Sequence, residues 1–268
     1  MAIIPSDEQF RTTIAEVDLT NKGTGLQQLM NNVFTMQDID DTVERPFETI
    51  NEGNGDGIVI RNRVAANYGN VGLEAIDMSI SDSASTTKGA TGTRSFAVGR
   101  NVTASATNAI AIGQNSSALY QNSGAFFGYA DQANAIAIGT FSAGGATGIR
   151  SFAAAPSAWA SAQDAVSIGY FSQATANSAT AVGEGAKARG TNATAIGADS
   201  ISDYADSTAI GGATTTAINQ IALGDAHTIL IAALATSTSY ADDAAAAAGG
   251  VLVGELYRDG SVVKIRVV

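Results

Sequence analysis

Ten short phrases of the form small–apolar–small–apolar–Gly recur along this chain at nearly constant spacing, and the spacing limits the fold more than any other feature. They are SFAVG (95–99), AIAIG (109–113), AFFG (125–128), AIAIG (135–139), the degenerate SFAAA (151–155), AVSIG (165–169), ATAVG (179–183), ATAIG (193–197), STAIG (207–211) and QIALG (220–224). Their last positions lie 14, 15, 11, 16, 14, 14, 14, 14 and 13 residues apart. A repeat of fourteen is too short for a helical pair and suits one coil of a β-solenoid. Propeller blades need about forty residues per repeat.

Within a phrase the residues alternate by face, as strand geometry requires. Ile110 and Ile112 share one side, and Ala109 and Ala111 share the other. The bulky side is expected to fill the interior, which makes Ile110, Ile112, Ile136, Ile138, Val166, Ile168, Ile196 and Ile210 the predicted roll core. The smooth alanine side would let a neighbouring element approach closely. The turn glycines, Gly99, Gly113, Gly128, Gly139, Gly169, Gly183, Gly197, Gly211 and Gly224, supply backbone angles that a Cβ resists. A fainter alternation after each phrase, as in VTASA (102–106) and FSQATA (171–176), reads as a second strand on the other wall of the coil. Ten coils at about 4.7 Å each give a rod on the order of 45 Å long.

Composition agrees with stacking rather than with one large core. Charged residues make up 15% of the 268, and there are 29 glycines. Small side chains bury little apolar area each. The net charge of −11 argues against nucleic acid as a partner, because such binding relies on a basic patch. With no cysteine, disulfide frameworks and thiolate metal sites are excluded. The N-terminus shows no secretory signal pattern. ILIAALA (229–235) is too short to cross a bilayer, so neither secretion nor membrane insertion is expected.

TAVGEGAKARGTNATAIG (180–197) is similar to the head repeats of YadA-type trimeric adhesins, whose units read xAIGxxAxAxGxxS. The resemblance covers about residues 89–226. It implies a left-handed parallel β-roll and a homotrimer of rolls packed about an axis. The flanks at 67–99 and 239–268 resemble segments of tailed-bacteriophage fibre and virion proteins. Together these imply a phage fibre with a YadA-like shaft, located in the virion and assembled in the host cytoplasm. The N-terminal region would contact other virion proteins, and the roll would face a host-surface receptor. The alternatives are a capsid head fibre or decoration protein, a glycan-depolymerising tailspike, and a fragment of a bacterial trimeric adhesin.

Four regions are expected: a helical attachment region (1–50), a β-rich transition (51–88), the roll (89–226) and a C-terminal cap (227–268). Phe10, Ile14 and Val17 fall on one helical face, and Leu26, Leu29, Met30, Val33 and Phe34 on another; these are the attachment candidates. At the C-terminus, Ser239 is expected to cap a short helix over ADDAAAAA that stops at Gly249. Asp259-Gly260 signals a hairpin, with Val263, Ile265 and Val267 on one side and Lys264 and Arg266 on the other.

No catalytic, cofactor or metal residues are expected. His227 is the single histidine. NEGNGDG (51–57) lacks the EF-hand spacing and reads as a turn. Asp199, Asp203 and Asp206 are expected to cluster in one inter-strand turn, where a tailspike's paired carboxylates could stand, but the same turns otherwise hold Ser, Asn and Thr. Phe141, Trp159, Tyr170 and Phe171 are the candidates for surface contact.

Overall fold

The computed structural model describes residues 46–140, 144–224 and 237–267. The chain divides into two units, one ending at Ala222 and the other beginning at Leu223.

The first unit is a parallel β-solenoid. Each coil carries one strand of up to five residues, a corner, a two-residue strand and a second corner. Among the described residues the longer strands stack into a sheet of thirteen and the shorter ones into a sheet of nine. Strand Ile110–Ile112 pairs in parallel with Phe96–Arg100 on one side and Gly124–Phe126 on the other. The register never slips: Ala97, Ala111 and Ala125 lie side by side, as do Ala104, Ala118 and Ala130 on the opposite wall. The corners stack as well, through bonds such as Gly113 N–H to the Val98 carbonyl at 2.8 Å and Asn108 N–H to the Thr93 carbonyl at 2.9 Å. A solenoid satisfies its backbone this way, with each coil serving as template for the next.

The inside of the roll reverses the expectation from the sequence. Ala111, Ala137, Ala153, Ala181, Ala195 and Ala209 are fully buried on the long sheet, as are Ala118, Ala146, Ala160, Ala174 and Ala188 on the short one. Serines complete the lining, among them Ser116, Ser167, Ser172, Ser200 and Ser202. The predicted core faces outward instead. Ile110, Ile136, Ile138, Ile168, Ile196 and Ile210 are 38–44% exposed, and Ile112 and Val166 are half-buried. The reason is geometric. Strands of two and three residues joined by tight corners bring the walls close, so methyl and hydroxymethyl groups make up most of the lining, with Val102 and Thr140 among the few larger side chains inside.

The glycine expectation holds at seven of the nine positions, Gly99, Gly113, Gly139, Gly169, Gly183, Gly197 and Gly211, all at positive φ. Gly128 is an exception. In that shortened coil Phe127 takes the left-handed angle, φ 53°, and a Cβ on Gly128 would sit 2.5 Å from the Thr140 hydroxyl.

The long sheet reaches back past residue 89. It begins with an antiparallel hairpin, Phe47–Asn51 with Asp56–Ile60, whose second strand starts the parallel stack on Ile76–Ile80. NEGNGDG forms the tip of this hairpin, with Asn51 Nδ2 donating to Asp56 Oδ1 at 3.0 Å. Arg63, almost fully buried, binds Glu52 at 2.5 Å and Asp77 at 3.0 Å, with its guanidinium 4.7 Å from the Tyr68 ring centre. Buried charges persist only when paired in this way. The group fastens the hairpin tip to the first parallel strand.

The second unit holds a helix, Asp243–Ala248, and a hairpin, Leu256–Asp259 with Val262–Ile265. The cap is Asp242 rather than Ser239, its side chain accepting from Ala245 N–H at 2.8 Å. Ser239 instead accepts from Gly260 N–H at 2.8 Å, and Gly249 ends the helix as expected. Asp259 is the last strand residue, paired with Val262, so the two-residue turn is Gly260-Ser261. Asp243 ties helix to hairpin: Tyr257 Oη–H donates to one carboxylate oxygen at 2.7 Å and Val267 N–H to the other at 2.8 Å. That hydrogen bond pushes the Tyr257 phenol up to about 12.

Candidate binding surfaces

Three surfaces of the roll carry side chains in ordered array. The first is the outer face of the long sheet. The register places Phe96, Ile110, Gly124, Ile136, Phe152 and Val166 in one outward rank. Val98, Ile112, Phe126, Ile138, Ala154 and Ile168 form the second rank. The second rank continues through Val182, Ile196 and Ile210, while Thr180, Thr194 and Thr208 continue the first. Eleven strands from Ile76–Ile80 to Ile221–Leu223 make this face, about 50 Å long at roughly 4.8 Å per strand. A contiguous apolar surface on that scale marks an interaction site.

The second is a polar ladder along the corner that leads into each long strand. Arg94, Asn108, Asn122, Asn134, Arg150, Asp164, Asn192 and Asp206 all have φ between 54° and 59°. Asn108 Nδ2 donates to Asn122 Oδ1 at 3.0 Å, and Asn122 Nδ2 to Asn134 Oδ1 at 3.1 Å. Arg150 grips Asp164 with two bonds of 2.6 and 2.7 Å. That grip holds the Asp164 carboxyl below the usual carboxylate range. Asn and Asp tolerate the left-handed angle and exchange bonds between coils. This ladder was missed in the sequence, although an Asn directly before several AIAIG-type phrases is its signal.

The third surface is aromatic. Trp159 is 41% exposed on the short sheet, and Tyr170 and Phe171 are each 49% exposed in the next corner, their ring centres 4.3 Å apart. Three of the four contact candidates therefore stand at the surface. Phe141 lies outside the described residues, as do His227 and all the attachment candidates from Phe10 to Phe34.

The carboxylates of the 199–206 stretch do not form a matched pair. Asp203 is held by Arg189 through two bonds of 2.6 Å, and Asp206 accepts from Asn192 at 2.9 Å. The three do not share one turn as expected: Asp199 occupies a different corner, because strand Ile201–Ser202 separates it from Asp203 and Asp206. Among the described residues there is no group of three His, Cys, Asp or Glu able to hold a metal ion. No helix among them is long and apolar enough to cross a membrane.

These features define a parallel β-solenoid with an interior of alanine and serine and ordered outer ranks. The family model of the YadA head domain repeat matches residues 90–116, 160–183 and 174–200, all within the roll. A comparison with curated proteins finds no match.

Proposed function

We propose that the chain is a structural and adhesive protein in which three copies pack their long-sheet faces together, forming a fibre that presents its remaining surfaces to a host. The observation that carries this reading is the outward double rank of Ile, Val and Phe. Inside each roll the apolar lining is already complete, and among the described residues nothing covers these ranks, which favours another chain as their partner. Association would remove a face about 50 Å long from water, on the scale of a stable interface. The number three follows from the similarity to YadA-type heads, whose rolls are trimeric.

Attachment to a virion through residues 1–50 is the finer part of the proposal, supported by the phage-like flanks at 67–99 and 239–268. The repeat match favours a second reading, a piece of a bacterial trimeric adhesin.

Mass measurement in solution tests the assembly. We expect a particle three times 27.0 kDa, reduced to one chain by Ile138→Asp with Ile196→Asp, since these side chains point away from the core. A monomeric wild type removes the reading. Mass spectrometry of purified virions against bacterial outer-membrane fractions decides between phage fibre and adhesin.

A further inference from the structure

We propose that Trp159, Tyr170 and Phe171 form a carbohydrate-binding shelf on the roll, taking the apolar face of a sugar ring. This rests on the adhesive reading and names the class of ligand.

Phe171 is the starting point. It has φ 55°, a conformation costly for a bulky L-residue. The stacked corners of other coils place Asn101, Asn115, Ser157, Gly185 and Asp199 at the same site, all at positive φ. Those are mostly residues suited to the angle, and Phe171 is not. The residue is 49% exposed, so folding recovers only part of its burial energy. Strain held at a half-exposed ring whose aromatic partner is the neighbouring Tyr170 points to function. The flanking positions, Ser157 and Gly185, are small, and the Asp199 carboxylate takes the place that a Cβ on Gly185 would occupy.

The rest of the shelf is preorganised. Tyr170 meets Phe171 edge to face at 62°, fixing both rings. Phe171 N–H bonds the Pro156 carbonyl, and Trp159 N–H bonds the Ser172 carbonyl at 2.9 Å, so rigid ladder bonds join the two coils. Trp159 Nε1–H donates to Thr147 Oγ1 at 3.2 Å. Thr147 belongs to the preceding coil, whose outward position beside Trp159 is Gly145. The indole therefore leans toward a place with no side chain, and Trp159 stays 41% exposed. Gln173, directly beside Trp159 in the ladder, adds a carboxamide at the rim.

The size of the shelf selects its occupant. Each ring buries at most about 150–250 Å², so three rings this exposed offer roughly 300 Å² in all. A stable protein interface needs about 800 Å² from each partner. One or two sugar rings fit instead: their C–H faces stack on aromatic planes while their hydroxyls reach Thr147 and Gln173. A site this open binds weakly alone, and several copies on one fibre compensate through effective concentration.

The chain's single tryptophan is Trp159, so its fluorescence reports this site alone. The full chain is applied to a printed array of bacterial and mammalian oligosaccharides, and each oligosaccharide that binds is titrated against Trp159 emission. We expect binding on the array, a saturable emission shift, and loss of at least tenfold in affinity for Tyr170→Ala. Phe171→Asn should lose binding while melting at a higher temperature, because strain is relieved. Silence across the array, binding unchanged in both variants, or a Trp159 that acrylamide fails to quench in the free protein overturns the proposal. Particle mass, measured on the same samples, separates the two readings. A trimer silent on the array ends the shelf alone, and a monomer ends the fibre reading while the titration still judges the shelf.

Discussion

Inside one coil of the roll, the hydroxyls of Ser167 and Ser172 meet at 2.7 Å across the space between the two walls, both side chains buried. Ser172 also donates to the Gly169 carbonyl at 2.8 Å, so Ser167 donates to Ser172. The following coil has Ala181 and Ala186 at the same two places.

Removing the two hydroxyls is therefore not symmetrical. Ser167→Ala leaves Ser172 satisfied and is expected to cost about 1 kcal/mol. Ser172→Ala strands the buried Ser167 hydroxyl and should cost more, roughly 1–3 kcal/mol. The double alanine reproduces the next coil and should recover most of that loss. Urea unfolding of all four proteins closes the cycle.

The alanine interior makes a sharp inside–outside prediction. Ala195→Ile forces a branched side chain between walls spaced for methyl groups, and should cost on the order of 3 kcal/mol or prevent folding. Ile196→Ala, one residue on, removes an outward side chain and leaves the coil of a single roll intact. Circular dichroism melts at matched particle mass distinguish the two. Equal melting temperatures would mean that the walls accommodate bulk.

Asn122 holds φ 57° while bonding coils on both sides. Asn122→Ala should lose about 1–2 kcal/mol through the left-handed angle alone. Asn122→Gly should lose less, because glycine adopts that angle freely. Denaturant midpoints measure both, and a glycine variant weaker than the alanine variant would contradict the strain argument.

Arg150 lowers the pKa of Asp164, first through its side-chain hydrogen bonds. A carboxylate whose pKa is depressed on folding adds stability above its unfolded pKa and loses it as pH falls through the folded one. The melting difference between wild type and Arg150→Gln should thus be present at neutral pH and vanish in acid below the normal Asp range. Both groups are solvent-exposed, so added salt should shrink the difference too. A difference that grows in acid would reverse the assignment.

The period was legible without coordinates because it is written in glycine and alternation. Each AIAIG-type phrase had to be a strand ending at a corner, and constant spacing had to stack the strands in register. The C-terminal helix and hairpin were legible for similar local reasons, with Asp242 replacing Ser239 as cap through a shift of three residues.

Which face pointed inward was not legible, since alternation separates two faces without saying which is buried. Hydrophobicity alone chose Ile110 and Ile112 over Ala109 and Ala111. The closeness of the two walls chose the alanines, because the width of a coil depends on how its corners close and not on any single strand. The strained Phe171 beside Tyr170, the Asn ladder and the Arg63 cluster were hidden for the same reason. Their partners lie a coil or more away, and stacking alone brings them together.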